Sequence, residues 1–155
     1  MKTLVVGIGH PDRGDDGVGA MVVRLLVGRV PEGVALHTRL GDLLGLLDDW
    51  AGFDRVICID AAEPAGTPGR LYRFDLDEQH LPPGVPVSSS HAIGLTEAVA
   101  LARVLGTAPA ELLVFAVEGA CFEHGAGLSR EVAEAAYVVA ERIAAEIEAA
   151  GDWVD

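Results

Sequence analysis

The sequence is poor in basic residues, and this scarcity excludes several classes of partner. It has 11 lysines and arginines against 24 aspartates and glutamates, which gives a formal net charge of -13 at pH 7. Lys2 is the only lysine. Nucleic acid is therefore an unfavourable partner, because neutralising its phosphates requires a basic face. Acidity alone favours solubility and does not assign a function.

Cysteines and long apolar runs are also scarce. The two cysteines, Cys58 and Cys121, are too few for a disulfide framework. Cys58 lies in an apolar run and is predicted to pack as a small hydrophobic side chain. No run of about 18 uncharged apolar residues is present to span a membrane, and the short apolar stretch near the N-terminus does not fit a signal peptide. We therefore expect a cytoplasmic protein without a membrane or nucleic-acid partner.

Hydrophobic residues are abundant, and predicted strands alternate with predicted helices. Half of the 155 residues are hydrophobic, enough for the core of a single domain over residues 1–155. The pattern predicts strands over 3–8, 34–38, 55–60, 70–74 and 112–117, and helices over 16–28, 42–50 and 91–105. Ser129 is predicted to cap a last helix that runs through Ala149. We predict an α/β three-layer sandwich, with a twisted, mainly parallel sheet, helices on both faces and one antiparallel edge strand.

Two segments between these elements are predicted as loops or caps. Residues 75–87 contain three prolines and several acidic residues, and we expect a loop there. Any of the serines in 88–90 is a candidate to cap the helix that follows.

The first predicted strand runs into an acidic glycine loop, GIGHPDRGDDGVG, over residues 7–19. Gly9 and Gly14 have the spacing of a phosphate-binding loop, but Asp15 and Asp16 stand where that loop has Lys and Ser or Thr. Two carboxylates at the start of a helix repel phosphate and attract a metal ion. The pattern therefore predicts a divalent-cation site in place of a nucleotide site.

Three ligand-type residues fall at the predicted carboxyl edge of the sheet, where open α/β sheets bind ligands. Asp16 follows the first strand, Asp60 ends the third, and His91 opens the helix after the serine run. Two carboxylates and an imidazole form a three-ligand set for zinc or nickel, with a coordination position left open. Each residue also has a simpler explanation: Asp16 as a helix-dipole partner, Asp60 as a loop cap, and His91 as an exposed first-turn residue.

Other polar residues are weaker candidates. Asp15 is expected to support the site or its turn, and it is an alternative ligand to Asp16. Cys121 and His124 form a Cys-x-x-His pair, which alone is a weak metal signal and favours a loop role. No G-x-S-x-G sequence is present, so a serine hydrolase is unsupported.

The chain resembles the hydrogenase maturation endopeptidases, which trim the large subunit of nickel–iron hydrogenases. The resemblance extends over nearly the whole length and depends on four blocks in a fixed order. These blocks are residues 5–9 with 13–19, 59–61, 90–95, and 117–119 with 122–129.

This resemblance implies a function and a set of site residues. It implies that Asp16, Asp60 and His91 match the family's metal-binding positions and carry catalysis. The implied partner is a hydrogenase large subunit precursor already loaded with nickel, from which a C-terminal extension is removed. The implied metal is nickel supplied by that precursor, although another divalent metal such as zinc or cadmium fits the same ligands.

Two departures from the family's pattern concern substrate choice. His10 stands where the family commonly has Asn, and residues 39–42 lack an Asp-Gly-Thr-like turn and retain only Gly41. We expect the first change to add a ligand or alter binding of the extension, and the second to affect which hydrogenase is processed.

Two other functions use the same residues. A receiver domain also has an acidic pair and an Asp after a strand, but it needs a lysine after a late strand, where this chain has none. A non-catalytic nickel-binding chaperone would use the same three ligands, because the groups that bind a metal also catalyse with it.

Overall fold

The computed structural model describes residues 1–76 and 89–151. These residues form five strands, four α-helices and two short 3₁₀ helices, and strands alternate with helices except where the fourth strand directly follows the third. In order, they are β1 (Thr3–Ile8), a 3₁₀ helix (Gly14–Gly17), α1 (Val18–Leu26), β2 (Val34–Arg39), a 3₁₀ helix (Leu43–Gly45), α2 (Leu46–Asp49), β3 (Arg55–Ala62), β4 (Leu71–Asp75), α3 (Ser89–Leu105), β5 (Glu111–Glu118) and α4 (Arg130–Gly151).

The strands form one sheet in the order β2-β1-β3-β5-β4. The pairs β1–β2, β1–β3 and β3–β5 are parallel, and β4 pairs antiparallel with β5 at the edge. The predicted α/β fold, with its antiparallel edge strand, is thereby confirmed. Because β1, β2, β3 and β5 point the same way, the loops after them leave the sheet at one common edge, the carboxyl edge.

Each face of the sheet has its own hydrophobic core. The core on the α2 and α3 side includes Val6, Cys58, Ala62, Leu95 and Ala102. The core on the opposite side, against α1 and α4, includes Val22, Ile59, Phe115, Val139 and Ile143. Cys58 is fully buried, as predicted, and its burial raises the pKa of the thiol, with the charge of Asp60 acting in the same direction.

Glycines let α1 approach the sheet at backbone distance. A Cβ at Gly7 would lie 2.3 Å from the carbonyl oxygen of Gly19, and one at Gly19 would lie 2.7 Å from the carbonyl oxygen of Ile59. Neither position accepts a side chain without moving backbone. This close approach fixes the start of α1, and the 3₁₀ helix before it, next to the carboxyl ends of β1 and β3.

Several element boundaries differ from the predicted ones. The helix predicted from residue 16 begins as a 3₁₀ helix and becomes an α-helix at Val18. The strand predicted to end at Asp60 continues to Ala62, because the ladder with β5 runs on to the pair Ala62 and Glu118. α3 begins at Ser89. Asp75, predicted to begin the loop 75–87, instead ends β4, and residues 77–87 of that loop lie outside the described residues, as does the candidate cap Ser88. Within the described ranges, no helix is long and apolar enough to cross a membrane.

Candidate functional site

Asp16 is buried in the 3₁₀ helix that follows β1. Its side chain is 2% exposed, and Oδ2 accepts a hydrogen bond of 2.8 Å from the backbone N–H of His10. Gly9 makes this turn possible, since its φ is 126° and a Cβ there would lie 2.2 Å from the carbonyl oxygen of Asp16. Residues 9–17 of the glycine loop therefore fold tightly around the Asp16 carboxylate.

Asp60 is buried inside β3, two residues before the strand ends. Its Oδ1 accepts a hydrogen bond of 2.8 Å from the N–H of Ala61. Cys58 and Ala62 belong to the core on the α3 side, so the alternation of strand side chains places Asp60 on that same face. Asp60 is thus a strand residue at the carboxyl edge of the sheet, and the strand runs on two residues beyond it.

His91 is the third residue of α3. α3 ends near the start of β5, at the opposite edge of the sheet, so its first turn lies towards the carboxyl edge. The side chain of His91 lies outside the described part of the structure. Among the described side chains, no group of three or more His, Cys, Asp or Glu lies close enough to hold a metal ion.

Asp15 differs from its neighbour Asp16 in what it contacts. Its buried carboxylate accepts four hydrogen bonds: from the N–H groups of Ala120 (2.7 Å), Cys121 (3.0 Å) and Ser129 (2.6 Å), and from the Ser129 hydroxyl (2.7 Å). Burial raises the pKa of Asp15, but these four donors outweigh it, and the pKa of Asp15 is lowered from its ordinary value. Asp15 is therefore held as a carboxylate by the Gly119 loop, residues 119–129.

Backbone hydrogen bonds join the same two loops. Gly14 N–H donates to the carbonyl of Ala126 (3.0 Å), Asp15 N–H to that of Cys121 (2.8 Å), and Gly125 N–H to that of Asp12 (2.7 Å). Together with the Asp15 carboxylate, they fasten the loop after β5 to the loop that presents Asp16.

Glu118 is a buried acidic residue at this edge that the motif analysis did not single out as a site residue. It ends β5 and is 1% exposed. Its Oε2 accepts hydrogen bonds from the N–H groups of Ala65 (2.9 Å) and Thr67 (2.6 Å), whereas Oε1 has no hydrogen-bond partner within the described residues. Two signals were available: the charge at the end of an apolar strand, and the place of this residue in the block 117–119 that carries the resemblance. Glu118 fixes the loop between β3 and β4 beside Asp60.

Replacing Glu118 by alanine is expected to loosen this loop without disrupting the sheet. The variant removes the acceptor of two backbone N–H groups, so we expect faster amide exchange at Ala65 and Thr67 and a loss of about 1.5–3 kcal/mol of stability. Hydrogen exchange followed by NMR measures the first effect and urea denaturation the second. Glu32→Ala, at an exposed position, is the matched control. Unchanged exchange at both amides would contradict this role.

A cavity of about 680 Å³ lies at the opposite edge of the sheet. Its lining includes Thr3, Val34 and Arg55, each at the start of its strand. Arg55 is buried there, and its guanidinium lies 3.6 Å from a carboxylate oxygen of Glu146. This ion pair compensates the buried positive charge of Arg55. The cavity is remote from the acidic edge that carries Asp16 and Asp60.

Two curated relatives with similar sequences are named hydrogenase expression/formation proteins. The chain is 32% identical over 145 residues to "Hydrogenase expression/formation protein HoxM" of Azotobacter vinelandii, covering 92% of this chain and 70% of the relative. It is 33% identical over 130 residues to the protein HupM of Azotobacter chroococcum, covering 83% of this chain and 62% of the relative.

Solved structures and a family model agree with this relationship. The hydrogenase maturating endopeptidase HybD from E. coli superposes with a TM-score of 0.77 at 25% identity, covering 97% of this chain and 94% of that one. The solution structure of an endopeptidase from E. coli gives a TM-score of 0.82 at 25% identity, with the same coverage. The model of the family described as hydrogenase maturation protease matches residues 38–146. The chain therefore belongs to the hydrogenase maturation protease family and acts as an endopeptidase in hydrogenase maturation.

Proposed function

We propose that this endopeptidase removes the C-terminal extension of a nickel-loaded hydrogenase large subunit precursor in the cytoplasm, and that Asp16, Asp60 and His91 bind the precursor's nickel. The observation that carries the proposal is the burial of two carboxylates at one edge of the sheet. Asp16 is 2% exposed and Asp60 is 5% exposed. They lie at the edge where open α/β sheets bind ligands, and carboxylate oxygens are ligands that divalent ions accept.

The donor set suits such an ion. Carboxylate and imidazole ligands accept nickel or zinc, and three protein ligands leave room for the group that reacts. A bound divalent ion would polarise the scissile carbonyl or the attacking water. In the hydrolysis, the water oxygen bonds to the carbonyl carbon, the C–N bond breaks, and the leaving nitrogen takes up a proton.

The protein's own contribution is to fix the two carboxylates. The His10 N–H holds Asp16, and the Ala61 N–H holds Asp60. Asp15 fastens the loop after β5 and Glu118 fastens the loop after β3. Both loops leave the sheet at this edge, so we assign them to binding of the extension. Loops set on a rigid sheet are well suited to substrate selection.

Cleavage assays on nickel-loaded and metal-free precursor test this function. We expect the shorter product only from the nickel-loaded form, with no added metal, because the ion is part of the substrate. Mass spectrometry of the product identifies the cut. Equal cleavage of both forms would contradict the dependence on nickel. Binding without any cleavage would instead favour the non-catalytic chaperone. Metal-free precursor reloaded with zinc or cadmium shows whether another divalent ion serves.

A further inference from the structure

The cavity of about 680 Å³ lies opposite the carboxyl edge and takes no part in the proposed function. Its volume is in the range of pockets that bind small molecules. Its lining comes from the starts of β1, β2 and β3, from the loop after α1 and from the last turns of α4. We call it the amino-edge cavity.

Three strand residues stand side by side along one side of the amino-edge cavity. Thr3 is the register partner of both Val34 and Arg55. Thr3 and Arg55 each lie two residues before a residue of the core against α1 and α4, namely Val5 and Ile57. Since strand side chains alternate between faces, both point to the same face as that core. The cavity therefore extends this core towards the edge where the strands begin.

Aliphatic side chains form much of the cavity wall. Val30, Val34 and Ala144 are partly buried and pack against the core on the α1 and α4 side, and Ile147 is buried within it. All four line the cavity. A ligand with an apolar body would remove this surface from water, which favours its binding.

The buried guanidinium of Arg55 has hydrogen-bond donors that the described residues leave unfilled. Arg55 is 5% exposed, and an arginine carries five N–H donors. One nitrogen donates to the backbone carbonyl of Glu146 at 3.4 Å, whereas Nε has no hydrogen-bond partner within the described residues. Carboxylate oxygens of Glu111 and Glu146 lie 3.7 and 3.6 Å away. They compensate the charge, but these distances are too long for hydrogen bonds.

The carboxylate of Glu146 is held by a second arginine. It accepts hydrogen bonds of 2.9 and 2.6 Å from the guanidinium of Arg73. Glu146 therefore does not supply the close acceptor that Arg55 lacks. Because Arg55 lines the amino-edge cavity, a group bound there can supply it.

We propose that the amino-edge cavity binds a small monocarboxylate with an apolar body, whose carboxylate accepts hydrogen bonds from Arg55. The described lining contains two arginines, Arg29 and Arg55, and a single acidic residue, Glu148. This balance favours an anion in a chain whose net charge is -13. A planar carboxylate also matches the fork of N–H donors on a guanidinium. The site does not depend on the proposed function, since it lies at the other edge of the sheet.

Octanoate is the test ligand, because it joins a carboxylate to a short apolar chain. Its binding to the full-length protein is followed by calorimetry and by NMR chemical shifts. We expect one-to-one binding, shift changes centred on Val34, Ala144 and Ile147, and a higher thermal midpoint. Octylammonium reverses the charge and acetate lacks the chain. Each should bind at these residues at least about 10-fold more weakly.

Two variants test the two halves of the site. Arg55→Gln should weaken octanoate binding about 10- to 100-fold, as expected for lost hydrogen bonds to a charged group. Ala144→Phe fills the cavity while keeping Arg55, and it should abolish binding. The matched control is Arg142→Gln, at an exposed arginine of α4 that does not line the cavity. We expect the wild-type Kd for this control.

The outcomes decide the proposal without any measurement of precursor cleavage. Octanoate binding that is weakened in Arg55→Gln and Ala144→Phe, but kept in Arg142→Gln, supports it. Absence of octanoate binding to the wild type overturns it, as does equal binding of octylammonium or acetate at the same residues. Wild-type affinity in a folded Arg55→Gln or Ala144→Phe variant also overturns it. The comparison of the three ligands needs only the wild type, so a variant that fails to fold does not prevent a decision.

Discussion

Replacing Asp60 by asparagine is expected to reduce precursor cleavage by at least about 100-fold while the protein stays folded. Replacing a residue that only supports a metal ligand lowers metal affinity or activity by about 10- to 100-fold. Replacing a ligand itself should therefore lower activity by at least about 100-fold. Asparagine has nearly the same shape, and its amide oxygen can still accept the Ala61 N–H that Oδ1 of Asp60 accepts at 2.8 Å. The rate of product formation from nickel-loaded precursor measures the effect.

Asp12→Asn is the matched control, because Asp12 is an exposed residue of the same acidic edge. We expect its cleavage rate to be close to that of the wild type. Circular dichroism and thermal denaturation should show both variants folded. Near-normal cleavage by the Asp60→Asn variant, at the wild-type thermal midpoint, would remove Asp60 from the proposed ligand set. Asp16→Asn tests the second carboxylate in the same way.

The fold was predictable because its strands are apolar runs and because apolar residues recur along its helices with the helical period. Val5 and Val6 lie in such a run, and β1 is buried along its whole length. The ends of strands were less predictable. β3 continues past its apolar run through Asp60 to Ala62, because β5 pairs with it there. Hydropathy does not reveal a hydrogen-bonded ladder between segments 50 residues apart or more.

The sequence placed Asp16 and Asp60 near the carboxyl ends of their strands, but it did not distinguish the contacts of Asp16 from those of Asp15. Asp15 and Asp16 are adjacent and identical in type, and the sequence left either as the ligand. Asp15 accepts four hydrogen bonds from the Gly119 loop, whereas Asp16 accepts the N–H of His10 within its own loop. These partners lie more than 100 residues away from Asp15, so only the folded chain shows the difference.

The role of Ser129 illustrates the same limit. A serine before a predicted helix is normally interpreted as an N-cap. Here its hydroxyl donates to Asp15 at 2.7 Å, and its carbonyl accepts the N–H of Ala133 at 2.8 Å. The start of α4 is thereby tied to the glycine loop, and the residue links the helix to the candidate site.

Replacing Asp15 by asparagine is expected to destabilise the protein by about 3 kcal/mol, because every contact of this carboxylate is with a donor. An amide places an NH₂ group against at least one backbone N–H of the Gly119 loop, whichever way it is turned. Urea denaturation at pH 7 measures the loss. Ser129→Ala removes one hydroxyl donor and should cost only about 1 kcal/mol. A destabilisation by Asp15→Asn no larger than that of Asp12→Asn would contradict the role of Asp15.

The pH dependence of stability gives a second test of the same carboxylate. Its pKa is lowered in the folded protein from an ordinary value of 3.8, so the unfolded chain binds a proton more readily than the folded one. The stabilisation by Asp15 is therefore complete above pH 3.8 and is lost as the pH falls through the lower, folded pKa. We expect the difference in unfolding free energy between wild type and Asp15→Asn to shrink in that acidic range. A difference that stays constant from pH 7 down to the acid transition would show that Asp15 stabilises the loops by packing, and not through its charge.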